Sequence, residues 1–235
     1  MPRLSRVSTG CPGMDDLLSG GLPEGRLHVV SGPPGSGKTT LSAQFVTQGA
    51  RRGETVVYVT MHETRSELVA DMAGFDFGFE KAIRASNTTF LDLTSESARQ
   101  SLTKYGTAGG LRNRLPAMLA ERGVDRAVID STMLLDHFVE DPEAELTEFI
   151  TRLKDVDATI LLISEMTDPS AYSAEHYLAH GVIFLHNFLE GGGMRRAAQL
   201  IKMRGTPIDS DLKPMGFDDR GLHVSPEESF EGAFG

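Results

Sequence analysis

The sequence predicts an α/β fold in which helices flank a mainly parallel sheet that ends in an antiparallel hairpin. Short apolar runs rich in β-branched residues alternate with helix-like segments, which is the pattern of successive β-α-β units. Several runs, such as residues 27–30, 56–59 and 159–163, are apolar at almost every position. Strands that helices cover on both faces have this composition. Beyond Gly181 the alternation stops, and two strand-like runs flank a turn of three glycines at residues 191–193.

The individual elements follow from these runs in chain order. Strands are predicted at residues 26–31, 55–60, 88–93, 125–130 and 158–164, and helices at residues 37–52, 63–74, 111–122 and 142–156. Residues 95–110, rich in serine, threonine and glycine, are predicted to form a helix followed by a loop. The hairpin comprises residues 181–190 and 196–204, and a second, shorter one is predicted from residues 214–217 and 221–224.

Composition and charge restrict the class of protein. The chain has 235 residues, of which 40% are hydrophobic and 24% charged, and no repeat or linker divides it, so we expect one domain over residues 1–235. A net charge of −10 argues against a basic nucleic-acid-binding protein. A single cysteine builds neither a disulfide framework nor a multi-cysteine zinc site. No apolar run is long enough to span a membrane and no signal peptide is evident, so we expect a cytoplasmic protein without membrane contact.

The clearest chemical motif is a phosphate-binding loop between the first predicted core strand and the helix after it. It matches the pattern G-x-x-x-x-G-K-[ST] at every position. The nucleotide-binding residues predicted from it are Gly32, Pro33, Pro34, Gly35, Ser36, Gly37, Lys38, Thr39 and Thr40. Glycines let backbone N–H groups turn towards phosphate oxygens, and the helix N-terminus adds positive potential. Lys38 would reach the β- and γ-phosphates as a catalytic cation, and the Thr39 hydroxyl would bind Mg²⁺. A plain glycine-rich turn, the alternative, does not account for the lysine and threonine in register.

Two acidic residues that follow predicted strands are candidates for the chemistry. Asp130 ends the fourth core strand, at the sheet edge where ligands gather in open α/β folds, and would bind Mg²⁺. A helix cap or turn residue is the alternative for Asp130. Glu63 comes just after the second strand and is placed to polarise the water that attacks the γ-phosphate. The spacing Thr60-x-x-Glu63 also fits a helix capping box, and spacing alone favours the cap.

Four segments together resemble the RecA-like ATPases, and in particular the single-domain KaiC-like proteins of archaea and bacteria. They are residues 9–23 (TGCPGMDDLLSGGLP), the phosphate loop, residues 130–131 and residues 195–206 (RRAAQLIKMRGT). The resemblance covers most of the chain and implies a RecA-like P-loop NTPase core. It also implies ATP and Mg²⁺ as cofactors, slow ATP hydrolysis, and assembly into a homo-oligomeric ring, of which a hexamer is one form. The output it implies is regulation or signalling through a protein partner that the sequence does not identify.

The resemblance also assigns roles to individual residues outside the phosphate loop. It favours Glu63 as a catalytic residue, although the family usually has two carboxylates after the second strand and His62 occupies the first position here. That difference concerns the rate of hydrolysis more than nucleotide binding. Lys202 and Arg204 are two apart on a predicted strand and therefore face the same side. In ring-forming relatives such cations reach the neighbouring subunit's nucleotide, where Arg204 would act as a catalytic arginine finger. A solvated polar face is the alternative.

Two other functions stay open at this point: a recombinase-related accessory protein of DNA repair, and a protein kinase that phosphorylates itself. Recombinases bind single-stranded DNA through basic loops that follow later core strands. Residues 131–148 and 165–181 contain no lysine or arginine. Their acidic residues are Asp136, Glu140, Asp141, Glu143, Glu145, Glu148, Glu165, Asp168 and Glu175. Because acidic loops repel phosphates, we do not expect nucleic acid as a partner.

Three remaining features are interpreted as structural. Cys11 is expected to be a small structural residue, because no neighbour in the sequence would activate its thiol. His176 and His180 are four apart, but no third metal ligand accompanies them, and we expect surface histidines. The aromatic side chains within residues 75–79 are expected to pack together in a loop.

Overall fold

The structure, a computed structural model, describes residues 4–103, 110–132, 142–168 and 170–230. The strands are β1 (Arg6–Val7), β2 (Leu22–Pro23), β3 (Leu27–Gly32), β4 (Val56–Thr60), β5 (Thr88–Asp92), β6 (Arg126–Asp130), β7 (Thr159–Glu165), β8 (Gly181–Glu190), β9 (Gly193–Met203), β10 (Lys213–Asp218) and β11 (Gly221–Val224). The helices are α1 (Met14–Leu17), α2 (Lys38–Arg51), α3 (Arg65–Met72), α4 (Phe79–Ile83), α5 (Glu96–Thr103), α6 (Gly110–Glu121), α7 (Pro142–Lys154) and α8 (Ala174–Leu178). None of the helices in these ranges is long and apolar enough to cross a membrane.

One mixed sheet dominates the described chain. Its nine strands lie in the order β11-β10-β9-β8-β3-β7-β6-β4-β5. The strands from β8 to β5 in this order run parallel to their neighbours, whereas β9, β10 and β11 extend the sheet in antiparallel pairs. The predicted α/β class, with a mainly parallel sheet and a C-terminal antiparallel hairpin, is therefore confirmed.

Helices cover both faces of this sheet and divide the apolar core in two. Successive side chains of a strand point to opposite faces. In β3, Val30 packs in the cluster that contains Phe45 of α2, whereas Val29 packs in the cluster that contains Phe149 of α7. Every residue of β3 and β4 is buried. This two-sided burial explains why the central strands are apolar at almost every position.

Some element boundaries differ from the predicted ones for local reasons. The hairpin turn is shorter than predicted because Gly191 and Gly192 both take positive φ, 57° and 81°, as a tight two-residue turn requires. β9 therefore begins at Gly193 rather than at residue 196. In the aromatic segment, the rings of Phe75 and Phe77 stack at 5.7 Å, but Phe79 begins a short helix where a loop was expected. The helix predicted after residue 95 is α5, and the loop predicted after it includes residues 104–109, which lie outside the described ranges.

His28 is a wholly buried polar residue in the middle of the sheet. Its Nε2 lies 3.1 Å from the Pro23 carbonyl oxygen, and since a carbonyl only accepts, Nε2 carries the proton. Its Nδ1 has no hydrogen-bond partner among the described residues. Burial lowers the pKa of His28 to about 4, because a charged imidazolium would lose its hydration there.

We expect His28 to make the fold less stable in acid. The unfolded chain protonates this histidine below pH 6.5 and the folded chain only near pH 4, so falling pH favours unfolding. The shift corresponds to a loss of about 3 kcal/mol in the free energy of unfolding between neutral pH and pH 4. Urea unfolding at both pH values should show a smaller loss for His28→Gln than for the wild type and for His62→Gln, a control at an exposed histidine. Equal losses in all three proteins would contradict this expectation.

Candidate functional site

The phosphate loop connects β3 to α2 and depends on glycine for its shape. A Cβ on Gly32 would lie 2.2 Å from the Leu185 carbonyl oxygen, so the loop packs directly on β8. Gly37 takes a positive φ of 106° and precedes α2 without a side-chain cap. The first N–H groups of α2 are therefore available to an anion. The buried Oγ of Ser36 has no hydrogen-bond partner among the described residues, so this hydroxyl is available to donate to a phosphate oxygen.

Lys38 lies in the mouth of this loop and is 6% exposed. Its ammonium donates to the carbonyl oxygens of Gly32 at 2.8 Å and Pro33 at 3.0 Å, and it forms an ion pair with Glu165 at 3.0 Å. Glu165 is not among the nucleotide-site residues predicted from the sequence. The sequence shows only that Glu165 follows a predicted strand; that this strand, β7, lies next to β3 with Glu165 in register with Gly32 is seen in the structure alone. The lysine is thus held at the phosphate site by groups that phosphate oxygens could replace.

Asp130 ends β6 at the same edge of the sheet. Parallel register pairs Thr60 with Asp130, so the residues after β4 and β6 come together beside the phosphate loop. The Tyr58 hydroxyl donates to Asp130 Oδ2 at 3.2 Å. Burial raises the pKa of Asp130, and this rise is opposed by the Tyr58 hydrogen bond and by the charges of His62 and Lys38. A buried carboxylate of this kind is stabilised in its charged form by a further cation.

Glu63 lies in the turn after β4, free of any capping role. α3 begins at Arg65, with Thr64 as its N-cap and Glu67 completing the capping box. The capping box proposed for Thr60 and Glu63 is therefore wrong, because the helix starts two residues later than predicted. The Thr60 hydroxyl instead donates to the Glu63 carbonyl oxygen at 3.2 Å and holds the turn.

The surroundings of Glu63 suit proton transfer. Burial raises the pKa of Glu63, with further contributions from the negative charges of Asp130, Asp71 and Glu67, whereas His62 acts in the opposite direction. A carboxylate with a raised pKa is a better proton acceptor near neutral pH. His62 is exposed, and its Nε2 lies 3.4 Å from the Oγ of Ser131, the residue after Asp130.

Lys202 and Arg204 lie at the opposite edge of the sheet, where the parallel strands β3 and β8 begin. Met203, between them, pairs with Gly181 at the start of β8, and Gly181 lies beside His28 near the start of β3. The phosphate loop follows the other end of β3, roughly 13 Å away at about 3.3 Å per residue. The structure therefore does not bring these two cations to the phosphate loop of their own chain. Lys202 Nζ donates instead to the carbonyl oxygens of His176 and Tyr177, at 3.1 and 2.9 Å, and Arg204 donates to that of Tyr177 at 3.3 Å.

This second edge is cationic. Burial lowers the pKa of Lys202, and the nearby charges of Arg204 and Lys154 lower it further. The pKa of His180 is lowered to about 4 by burial and then by Lys154, Arg26, Arg204 and Lys202. Mutual repulsion of this kind favours an anion at the edge.

At the edge of the sheet that holds the phosphate loop, the residues fit Mg²⁺ only together with a nucleotide. The described residues contain no group of three or more His, Cys, Asp or Glu that could hold a metal ion. Thr39, on the first turn of α2, and Asp130 supply oxygen ligands, the type that Mg²⁺ prefers. Mg²⁺ commonly takes one or two protein ligands and completes its shell with phosphate oxygens and water. The donor set therefore agrees with an Mg²⁺–nucleotide complex rather than with a free metal site.

The acidic segments proved to be partly structural. Asp136, Glu140 and Asp141 lie outside the described residues. Glu145 and Glu148 belong to α7 and form ion pairs with Arg112 of α6, at 2.6 and 2.9 Å. These two carboxylates hold helices together and do not line a loop.

Two other predicted roles can be compared with the structure. Cys11 is buried, its thiol donates to the Leu222 carbonyl oxygen at 3.2 Å, and burial raises the pKa of the thiol, as expected of a structural residue. The expectation of a surface histidine is wrong for His176, which is 4% exposed. His180 lies beyond the end of α8, so the two histidines do not share a helix face.

Known proteins match almost the whole chain. A model of the family described as "ATPase: KaiC" matches residues 7–229. The circadian clock oscillator protein KaiC of Parasynechococcus marenigrum is 27% identical over 232 residues, which are 95% of this chain and 45% of that protein. The circadian clock oscillator protein KaiC of Synechococcus elongatus is 28% identical over 231 residues, which are 95% of this chain and 44% of that protein. The chain thus spans less than half the length of these curated relatives.

A solved structure matches at full length. The crystal structure of a KaiC-like protein from the hyperthermophilic archaeon Pyrococcus horikoshii has a TM-score of 0.78 and 29% sequence identity. The match covers 95% of this chain and 100% of that chain. The resemblance inferred from the sequence motifs is confirmed by both kinds of comparison.

Proposed function

The chain belongs to the KaiC family of ATPases and has the RecA-like P-loop fold, and from this premise we propose that it binds ATP with Mg²⁺ and hydrolyses it slowly. The observation that carries the proposal is the meeting of a phosphate loop, one buried lysine and two carboxylates at one edge of the sheet. No other part of the described chain combines a phosphate cradle with groups of shifted pKa in this way.

Nucleotide binding would rest on the loop backbone and Lys38. The N–H groups of Gly35, Gly37 and the first turn of α2 would surround the β-phosphate, whereas Pro33 and Pro34 have no N–H to donate. Lys38 would exchange the Glu165 carboxylate for β- and γ-phosphate oxygens, which offer it the same charge-assisted contacts. Thr40, which is buried on the same turn of α2, would be the last of the nucleotide-binding residues.

Thr39 and Asp130 would hold Mg²⁺ on its protein side. When bound with the nucleotide, the ion supplies neutralisation of phosphate charge. Asp130 is buried beside the phosphate loop, and the Tyr58 hydroxyl orients its carboxylate through a hydrogen bond.

Glu63 would position the attacking water and accept its proton. Removing the carboxylate charge should slow ATP hydrolysis about 10²–10⁴-fold, the range of general-base contributions. We expect Glu63→Gln to retain ATP affinity, because the hydrogen bonds of Glu63 join its backbone to Thr60 and do not involve the phosphate loop. Phosphate release under single-turnover conditions, together with calorimetric titration of ATP, measures both quantities.

Glu67→Gln provides the matched control for Glu63→Gln. Glu67 lies four residues further on, and glutamine preserves its capping box with Thr64. We expect turnover close to that of the wild type from this control, because Glu67 ranks behind burial, Asp130 and Asp71 among the causes of the raised pKa of Glu63. Wild-type turnover in Glu63→Gln as well would show that the proton acceptor lies elsewhere.

We also propose that the protein assembles into a homo-oligomeric ring in which Lys202 and Arg204 serve the neighbouring subunit's nucleotide. Their position supports this proposal: they lie at the edge opposite their own phosphate loop, in a cationic cluster that would attract a γ-phosphate. A head-to-tail contact that joins the two edges forms a ring when its rotation closes on the first subunit.

The output that we propose is a nucleotide-dependent contact with a protein partner, in regulation or signalling within the cytoplasm. The family membership and the acidic net charge of −10 support a protein partner over nucleic acid. The clock function in the names of the curated relatives belongs to proteins more than twice as long and is not carried over.

A further inference from the structure

A cluster of buried polar side chains connects the short helix α8 to the strands that carry the nucleotide site. His176 contacts Ser31 of β3, and Glu175 accepts a hydrogen bond from Ser164 of β7 at 2.7 Å. All four residues are at most 4% exposed. Ser31 directly precedes the phosphate loop, and Ser164 directly precedes Glu165, the partner of Lys38. Neither the proposed chemistry nor the fold alone requires polar groups here, since a buried strand–helix contact is ordinarily apolar.

His176 makes a directional contact at each ring nitrogen. The Ser173 backbone N–H donates to Nδ1 at 3.1 Å, so Nδ1 is an acceptor. Burial lowers the pKa of His176 and favours the neutral ring. In the neutral ring Nε2 then carries the proton, which it donates to the Ser31 Oγ at 2.7 Å. The imidazole therefore fixes the start of α8 to the last residue before the phosphate loop.

Carbonyl groups in the last turn of the same helix bind the side chains of Lys202 and Arg204. The carbonyl oxygens of His176 and Tyr177 accept three hydrogen bonds from these cations, at 3.1, 2.9 and 3.3 Å. Carbonyls in the last turn of a helix have no partner within the helix and carry partial negative charge. α8 has only five residues, so we expect a displacement of the imidazole to move these carbonyls as well.

We propose that His176 is a positioning residue for Lys202 and Arg204: through α8 it fixes the place of these cations relative to the strand that leads into the phosphate loop. The proposal rests on the proposed role of the two cations at the neighbouring subunit's nucleotide. One residue would then connect the phosphate loop of a subunit to the cations that the subunit presents to its neighbour. The path has three steps: from Ser31 to His176, along α8, and from the carbonyls of α8 to Lys202 and Arg204.

Kinetics of His176→Ala in the full chain provide the first test. A catalytic group displaced by about 1 Å costs about 10²-fold in rate, so we expect kcat to fall by about that factor. The KM for ATP should change by less than about threefold, because the phosphate loop itself is unaltered. His176→Gln, whose amide can both accept and donate, should restore most of kcat. If the alanine variant fails to fold, Ser31→Ala replaces it, since it removes the Nε2–H acceptor alone.

A mixing experiment separates action through the cations from support of the subunit's own site. His176→Ala retains an intact phosphate loop, and Lys38→Ala retains intact cations. If His176 acts through Lys202 and Arg204, a mixture of the two inactive variants regains activity, and ATP-dependent assembly of His176→Ala alone, followed by light scattering, is weakened as in Arg204→Ala. Arg204→Ala mixed with Lys38→Ala is run in parallel.

The two mixtures distinguish the possible failures. Recovery in the Arg204 mixture without recovery in the His176 mixture would overturn the positioning role and leave the proposed function standing. Failure of both mixtures, despite co-assembly, would refute the role of the cations at the neighbouring site and the positioning role with it. A fall in ATP affinity equal to the fall in kcat would also contradict the proposal, because His176 would then support its own phosphate loop.

Discussion

Replacing Lys38 with alanine is expected to abolish ATP binding while the fold survives. Lys38 occupies the mouth of the phosphate loop and offers three charged donors, now used by two carbonyls and Glu165. Hydrogen bonds to charged groups contribute about 1.5–3 kcal/mol each, so losing the contacts to the phosphates should weaken ATP binding by at least about 10²-fold. Calorimetric titration of ATP in the presence of Mg²⁺ measures this loss, and thermal unfolding checks the fold.

Lys213→Ala is a closely matched control for Lys38→Ala. Lys213 is also 6% exposed and forms its own ion pair, with Asp209 at 2.8 Å, but it lies at the start of β10, which β9 and β8 separate from β3. We expect Lys213→Ala to bind ATP like the wild type. Comparable ATP affinity in Lys38→Ala and Lys213→Ala would refute the assignment of the phosphate loop as the nucleotide site.

The features that the sequence predicts well are those with a local signal. Apolar runs predict the parallel strands because two-sided burial leaves no room for polar residues, as in β3 and β4. The phosphate loop is a contiguous motif whose shape depends on its own glycines. The positions of Asp130 and Glu63 could be predicted because one ends a strand and the other follows one, and parallel strands bring such residues to one edge; their roles stay predictions.

The features that the sequence does not predict depend on partners far along the chain. Glu165 pairs with Lys38 only because β7 lies next to β3 in the sheet. Arg126, at the start of a strand, is wholly buried: its guanidinium pairs with Glu54 and donates to the Ser8 carbonyl oxygen. His176 gives the same lesson, because its burial follows from the contact with Ser31 and not from its own helix. Such residues are indistinguishable from surface charges until the order of the strands is known.

Loss of Arg204 is expected to have the largest effect on turnover. An arginine finger contributes about 10³–10⁵-fold to the rate of phosphoryl transfer, so Arg204→Ala should lose most hydrolysis. ATP binding to one subunit should change little, because the strand positions separate Arg204 from its own phosphate loop. ATP should also promote assembly less strongly, since each γ-phosphate would attract the adjacent subunit less. Arg204 lies just past the end of β9, and Arg195→Ala, at an exposed arginine within β9, is the control and should behave like the wild type.

A mixture of two inactive proteins decides whether Arg204 acts between subunits. Arg204→Ala has an intact phosphate loop and Lys38→Ala has an intact Arg204, so a ring formed from both contains interfaces at which the two intact parts meet. In an equal, random mixture about a quarter of the interfaces have this composition, and activity should return to about that fraction of the wild type. The recovery must depend on the mixing ratio and vanish when either variant is omitted. A mixture that stays inactive, although light scattering shows that the two variants assemble together, would mean that Arg204 acts within its own subunit. The hydrogen bond from Arg204 to the Tyr177 carbonyl oxygen would then be its whole role.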